Sequence, residues 1–296
     1  LSRLPAISVV IPTYNHASFV LHTFKSVFAQ TFSDIEVIVV NDGSPDRTHE
    51  LLMPLAEAGK IRYFRQQNAG QAAARNRGIE AAMGRYIALI DDDDLWPTGK
   101  LMSQMAVLEQ DPSVALVYGR ADLVGEEGES LSQHERAGLP FELPPDGPSG
   151  DVFRAFLSQN FILSPGQTLI RRAALDRLGE PPFDEALWGV DDYDLYLRLS
   201  KVGGFVFQKE FALQYRVHSA NASRNEAQMH LNEKALFQKL RKRAKNNKEE
   251  QRAIIEAWKR RRGRLSRYWA ATTLRAIQSG KFQDAATRVN TLWRLR

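Results

Sequence analysis

Apolar residues recur along this chain in two alternating rhythms. Ala6 to Ile11 (AISVVI) and Ile35 to Val40 (IEVIVV) are short, continuous, β-rich runs, and each is closed by a turn-forming stretch, Pro12 to Ala17 and Asn41 to Asp46. Such runs read as central strands of a parallel sheet followed by ligand-facing turns. Between them, HASFVLHTFKSVFAQT places Phe19, Val20, Thr23, Phe24, Val27 and Phe28 at helical spacing. The three segments predict a strand-helix-strand unit. KIRYFRQ continues as a third strand, GQAAARNRGIEAAM as an Ala-rich helix, and RYIALI as a fourth strand ending in Asp91 to Asp94.

Further along, KLMSQMAVLEQD reads as a helix and VALVYGRADLVG as a strand or hairpin. Residues 126–150, rich in Gly, Pro, Ser and Glu, read as a long loop or lid. DVFRAFLSQN is helical, LIRRAAL leads into a helix start, VDDYDLYLRLSKVG is an amphipathic helix, and FVFQKEFALQYRVH is a strand. Beyond about Ser223 the pattern is helical and basic to the end, with a helical hairpin turned at Ser279-Gly280. The alternation predicts an α/β fold: an open, mostly parallel sheet flanked by helices, with ligands at the carboxyl ends of the strands. Residues 1–223 form that domain, and 224–296 a basic helical C-terminal region.

Composition narrows the chemistry. At 296 residues, with 43% hydrophobic residues, the chain is long enough to bury a large core. It has no cysteine, which excludes disulfides, thiolate metal sites and cysteine nucleophiles. No apolar run is long enough to span a bilayer and no signal-peptide pattern opens the chain, so a soluble, cytoplasmic protein is expected. The net charge of +5 conceals a division. Residues 234–296 hold 19 Lys and Arg against 4 Asp and Glu, leaving 21 and 31 for the first 233 residues. The two parts should therefore meet different partners.

The acidic clusters carry the candidate chemistry. Four adjacent carboxylates at a strand end repel one another and need an offsetting charge, which a hard divalent cation such as Mg²⁺ or Mn²⁺, shared with substrate phosphates, would supply. In extended backbone Asp91 and Asp93 point one way, Asp92 and Asp94 the other; Asp94 also reads as a cap of the following turn. In the first loop Thr13 and Asn15 are placed to receive a base or ribose, and in the second Asp42 is placed to accept an N–H from a base edge. Both loops also read as ordinary turns. Gly70 gives flexibility beside Asn68, and Arg75 or Arg77 would neutralise a diphosphate or pair with the Asp run. Asp191, Asp192 and Asp194 head a helix, where capping explains one of them but hardly three. A carboxylate there could take the proton of an acceptor hydroxyl. Trp188 is placed to stack on a sugar face or simply to pack, and His218 to contact metal or phosphate or to serve structurally.

Taken in order, VVIPTYNHASFVLHTFKSVFAQTF, EVIVVNDGSPDRT, QNAGQAAARNRGIEAAMGRYIALIDDDDLWPTGKL, FDEALWGVDDYDLYLRLSKVG and YRVHSANAS resemble the inverting, nucleotide-sugar-dependent glycosyltransferases of family 2, with the GT-A fold, over roughly residues 5–223. The resemblance implies a donor half at about 1–120 and an acceptor half at about 121–223. It implies that Pro12, Thr13, Tyr14 and Asn15 lie against the nucleotide and that Asp42 holds the base. Asn68, Gly70, Arg75, Asp91 and Asp92 complete the donor side. Asp93, with Asp91, falls on the metal-binding signature, and His218 is a further candidate ligand. The extra Asp92 leaves the division of labour within the run open. Asp192 falls on the general base, with Asp191 beside it in place of the more frequent Glu. Asp191 and Trp188 face the acceptor. The implied reaction is a single displacement that inverts the anomeric carbon and moves one sugar at a time, since the Gln-x-x-Arg-Trp signature of processive synthases is missing.

A sugar nucleotidyltransferase, the main rival, would carry a Gly-rich loop after the first strand, and IPTYNHASF has no Gly. A NAD(P) enzyme lacks its G-x-G-x-x-G there. A non-catalytic nucleotide-sugar binder is the third alternative. The expected partners are a nucleoside-diphosphate sugar and a saccharide or lipid-linked saccharide acceptor. For the basic C-terminal region three readings stand: peripheral contact with an anionic membrane through Trp258, Tyr268 and Trp269, packing on the catalytic domain or a second subunit, and nucleic-acid binding, which no recognisable motif supports.

Overall fold

The run Ile7–Thr13 forms β1, every residue of it buried, and the rest of the sheet is laid out from this strand. In chain order there follow α1 (Val20–Phe28), β2 (Ile35–Asn41), α2 (Thr48–Glu57), β3 (Arg62–Arg65), α3 (Gln71–Ala81), β4 (Tyr86–Leu89), α4 (Lys100–Gln110) and β5 (Val114–Val124). Next are α5 (Gln133–Ala137), α6 (Phe153–Ser158), β6 (Thr168–Arg171), α7 (Arg172–Asp176), α8 (Asp191–Leu199) and β7 (Gly204–Arg216). Helices α9 (Glu226–Arg243), α10 (Lys248–Gln278) and α11 (Phe282–Leu295) close the chain. This computed structural model describes residues 4–137, 139, 143–144, 146–219, 221 and 225–295. The expected boundary at Ser223, part of the 126–150 loop and part of YRVHSANAS lie outside the described residues.

The seven strands run in the order β3-β2-β1-β4-β6-β5-β7. β1, β2, β3 and β4 are parallel, β6 is antiparallel to both its neighbours, and β5 and β7 are parallel. Register sets the site: Thr13 pairs with Asn41, and Val10 with Leu89, so β1, β2 and β4 release their loops at one edge. The expected division between donor and acceptor halves, at about residue 120, falls inside β5. Helix α3 lies so close to β1 that a Cβ on Gly78 would stand 2.3 Å from Val10 Cγ1. Two elements escape the hydrophobic pattern. α2 holds a proline, Pro54, and buries little beyond Thr48 and Leu52. β6 is four residues long and gives way at once to α7.

The C-terminal helices do not stand apart from the sheet. Leu236, Phe237, Leu240, Ile254 and Ala257 share one apolar cluster with Leu116 and Tyr118 of β5 and Leu197 of α8. The basic side of α9 meets acid: Arg243 lies 2.6 Å from Asp194 and 3.2 Å from Glu180, and Lys239 pairs with Asp184. The reading in which a positive helical face packs on acidic surface of the domain describes α9. Phe237→Ala is expected to cost about 3–5 kcal/mol and to lower one cooperative transition seen alike by tryptophan fluorescence and far-ultraviolet dichroism. An unchanged main transition with a separate, early-melting helical phase would contradict a shared core.

Candidate active site

The parallel strand ends open onto a cavity of about 360 Å³, walled by the β1 loop, the 66–71 segment, the Asp run and Trp188. Pro12, Thr13, Tyr14, Asp42, Asn68, Gly70, Asp91, Asp92, Asp93 and Trp188 of the expected site residues line it. Gln71 and His16, not singled out from the sequence, line it as well. Asn15 does not: it takes a left-handed conformation (φ 58°), gives its backbone N–H to Ser44 Oγ at 3.1 Å, and is exposed. Its contribution is to bend the loop, a conformation that Asn tolerates better than most residues.

Asp42 spends its carboxylate on the 66–70 segment. Oδ1 accepts from Ala69 N (2.9 Å) and Gln66 Nε2 (2.8 Å), and Oδ2 from Gly70 N (2.8 Å). These bonds hold the loop bearing Asn68, and they need Gly70 at φ 91°, a conformation that side-chain-bearing residues rarely adopt.

Each member of the Asp run has a partner of its own, beyond the Ser164 hydroxyl that Asp91 and Asp94 share at 3.4 Å. Asp91 accepts from Arg75 Nη2 at 2.6 Å. Asp92 meets His16 Nδ1 at 2.7 Å and accepts from Tyr14 N. Asp93 meets His218 Nε2 at 2.9 Å. Asp94 is fully buried and accepts from Arg216 N at 2.9 Å, while the Arg216 side chain donates to the Asp93 carbonyl. Burial, followed by the charges of Asp93 and Asp91, raises the Asp94 carboxyl well above its ordinary range. Burial also raises Asp92, against the pull of His16. For His16 burial disfavours charge, but the hydrogen bond and field of Asp92, with Asp93 and Asp91 behind it, prevail and push the imidazole up to about 9. Donor atoms of His16, Asp93 and His218 lie within 4.8 Å of one another. Their chemistry, one carboxylate oxygen and two imidazole nitrogens, fits a divalent transition-type ion.

Arg75 joins the two acidic clusters. Its guanidinium, 2% exposed, bonds Asp91 with one nitrogen and Asp191 with another at 3.1 Å, and lies 5.2 Å from the centre of the Phe183 ring. Of the two roles open to it from sequence, pairing with the Asp run is the one observed. Arg77 is engaged elsewhere, donating to Arg65 O and Gln66 Oε1. Asp191 also faces Gln71 Nε2, at 3.4 Å, and burial raises its carboxyl in spite of Arg75. Beside it, Asp192 is the second residue of α8, accepts from Tyr193 N, and is pushed up to about 7 by burial and then by the Asp191 charge, with Arg75 opposing. Neither Asp191 nor Asp192 lines the cavity, although Trp188, shortly before them in the chain, does. Trp188 is held from α9, where Asn232 Nδ2 donates to its carbonyl at 2.7 Å.

Comparison with known proteins identifies the family and the fold. The family described as "Glycosyl transferase family 2" matches residues 8–179. The chain is 32% identical over 222 residues to an uncharacterized glycosyltransferase of Rickettsia conorii, covering 74% of this chain and 35% of that protein. It is 28% identical over 227 residues to the chondroitin synthase of Escherichia coli, covering 75% of this chain and 30% of that protein. The match thus spans about a third of the length of these relatives. Among solved structures, S. aureus TarS 1-349 in complex with UDP-GlcNAc is similar with a TM-score of 0.60 at 16% identity, over 79% of this chain and 66% of that one. That likeness shows the fold, the GT-A arrangement of a mostly parallel sheet flanked by helices.

Arg75→Met would strand two buried carboxylates. The expected loss is about 3–5 kcal/mol at neutral pH, read by urea unfolding. The deficit should shrink toward acid pH as the Asp191 carboxyl, already raised by burial, takes up its proton. A loss independent of pH would mean that Arg75 acts by packing alone.

Proposed function

This chain belongs to glycosyl transferase family 2, and from that premise we propose that it moves one sugar from a nucleoside-diphosphate sugar to an acceptor hydroxyl by metal-dependent single displacement with inversion. The observation that carries the reading is Arg75, which holds Asp91 of the donor side and Asp191 of the acceptor side on one guanidinium. In this reading a donor in the cavity and a base on α8 meet on either side of one reacting centre.

The nucleotide lies between the Pro12–Tyr14 loop and the segment that Asp42 organises, with Asn68 and Gly70 at the base. Asp93, His218 and His16 would hold the cation, whose chemistry is to neutralise the diphosphate and the charge that grows on it as it leaves. Two imidazoles in the set favour Mn²⁺ over Mg²⁺, which prefers oxygen ligands. Asp92, bonded to His16 Nδ1, orients that ring and leaves Nε2 as the available nitrogen, the usual work of a carboxylate behind a histidine ligand. His16 binds its proton tightly, so loading the site releases a proton.

On the other side Asp192 takes the proton of the acceptor hydroxyl as that oxygen forms its bond to the anomeric carbon and the bond to the nucleoside diphosphate breaks. Attack from the face opposite the leaving group converts an α-linked donor into a β-linked product. Crowding by protein and by Asp191 makes Asp192 a stronger base than a solvated carboxylate, which suits proton abstraction near neutral pH. Trp188 stacks on the acceptor, a saccharide or lipid-linked saccharide, in polysaccharide or glycolipid assembly. Arg75 acts through Asp91 and Asp191 as a positioning residue rather than gripping the diphosphate itself.

Asp192 is competent only when ionised, so transfer should rise with pH through about 7 and level above it. Asp192→Asn should lower kcat by about 10²–10⁴-fold while nucleotide binding stays intact. Near-normal transfer by that variant would remove the base assignment; loss of nucleotide binding would show that Asp192 serves the donor site instead.

A further inference from the structure

Helices α10 and α11 pack as a hairpin, and part of the seam between them is polar and unfilled. Tyr268, Trp269 and Arg275 reach it from one side of α10, and Asp284 and Arg288, one turn apart, from α11. With Lys281 in the bend and the first turn of α9, they wall a cavity of about 610 Å³. Small-ligand sites span roughly 300–1,000 Å³. This one shares no lining residue with the nucleotide cavity.

The Tyr268 side chain is partly exposed, and its hydroxyl donates to Glu226 at 2.5 Å, which fixes the ring. Trp269 beside it is buried, with Nε1 bonded to His230 and the Arg288 guanidinium 5.7 Å from its ring centre. Arg275 and Lys281 are exposed, and among the described residues no carboxylate pairs with either of them or with Arg288. Guanidinium groups suit the planar fork of a carboxylate or the oxygens of a phosphate. Glu226 and Asp284, in the same wall, can accept from neutral hydroxyls. An aromatic ring, three cations and two acceptors in one recess match a molecule with an apolar face, hydroxyls and an acid group. The recess also has a route to the nucleotide cavity. Asn232, about 9 Å along α9 from Glu226, donates to the carbonyl of Trp188, which lines that cavity. A Cβ on Gly189 would stand 2.8 Å from Met229 Cγ, so α9 packs closely there.

We propose that this recess holds an acidic saccharide, a stretch of the acceptor chain away from its reacting end. Its acid groups meet Arg275, Lys281 and Arg288, a sugar ring lies against Tyr268, and hydroxyls donate to Glu226 and Asp284. That the chain held there is the acceptor rests on the transfer reading; that the recess takes an acidic saccharide does not. A flat bilayer does not suit this arrangement. At helical spacing Phe282, Val289 and Trp293 fall on the side of α11 opposite to Asp284 and Arg288, so a surface that meets one set misses the other.

The test is calorimetric titration of the full chain, without nucleotide, at about 0.15 M salt. The probes are a galacturonate octasaccharide, a neutral glucose octasaccharide and inorganic polyphosphate of the same charge. The acidic saccharide should bind, and the other two at least tenfold more weakly. Arg275→Gln with Arg288→Gln should weaken it about a hundredfold, and Tyr268→Ala about tenfold, with the thermal transition of each variant matching the parent to certify folding. Trp188→Ala should weaken it about fivefold, because the chain runs on to the nucleotide cavity. No binding of the acidic saccharide, equal binding of either control, or indifference to the Arg275 and Arg288 changes would overturn the proposal. Binding untouched by Trp188→Ala would overturn the acceptor assignment. Sugar transfer is not read at any point, so a failed transfer reading leaves the titration intact, and a failed titration leaves the transfer reading intact.

Discussion

The confinement of so many carboxylates at one sheet edge is the constraint from which the rest of the structure follows. Asp91 to Asp94 leave β4 together, and Asp191, Asp192 and Asp194 head α8 directly across from them. Ionised and partly buried, such groups would drive the two segments apart. Arg75 prevents this by bridging Asp91 and Asp191, while the Arg216 main-chain N–H bonds Asp94 from β7 and the Arg243 guanidinium bonds Asp194 from α9. The compensation is incomplete: Asp93 meets an imidazole rather than a guanidinium, and Asp192 has its proton affinity raised by burial and by Asp191. The least compensated carboxylates are those to which the proposed chemistry falls.

Distribution of charge along the chain also explains the C-terminal helices. Arg243 and Lys239 of α9 answer acids of the 180–194 segment, and Arg261 of α10, paired with Glu233 at 2.5 Å, lies 5.1 Å from the Tyr193 ring centre. Helix α8 is therefore gripped by residues from well beyond the part of the chain that the family description covers. The basic excess of residues 234–296 is spent in two ways. Part of it is turned inward onto α8, and part, Arg262, Arg267 and Arg275 among it, stays exposed on α10.

Much of this was legible in the sequence because the signals were local. Continuous apolar runs marked β1, β2 and β4, and their sharp polar ends placed Asp42 and the Asp run at strand termini. Helical spacing marked α1, α3 and α8. What escaped were features fixed by distant partners. β6 is too short to show a period, and α2 buries too little. His16 looks like any loop histidine until Asp92, far along the chain, comes within 2.7 Å. Arg216 sits in a strand pattern and betrays nothing of its burial, and Gln71 is indistinguishable from a helix-surface glutamine until Asp191 arrives. Arg75 was open between diphosphate and Asp run because only tertiary packing encloses it. One signal was available for His16: a titratable residue inside the first strand-end loop of a sheet whose ligands gather at that edge.

The central claim is that the least compensated carboxylates form a metal-assisted nucleotide site. Calorimetric titration with UDP, GDP, dTDP and CMP, each with and without Mn²⁺, tests it most directly. The account predicts that one of them binds, that Mn²⁺ strengthens the binding, and that Asp93→Ala removes the metal dependence. Nucleotide binding that ignores the metal, or survives Asp93→Ala with its metal dependence unchanged, would contradict it.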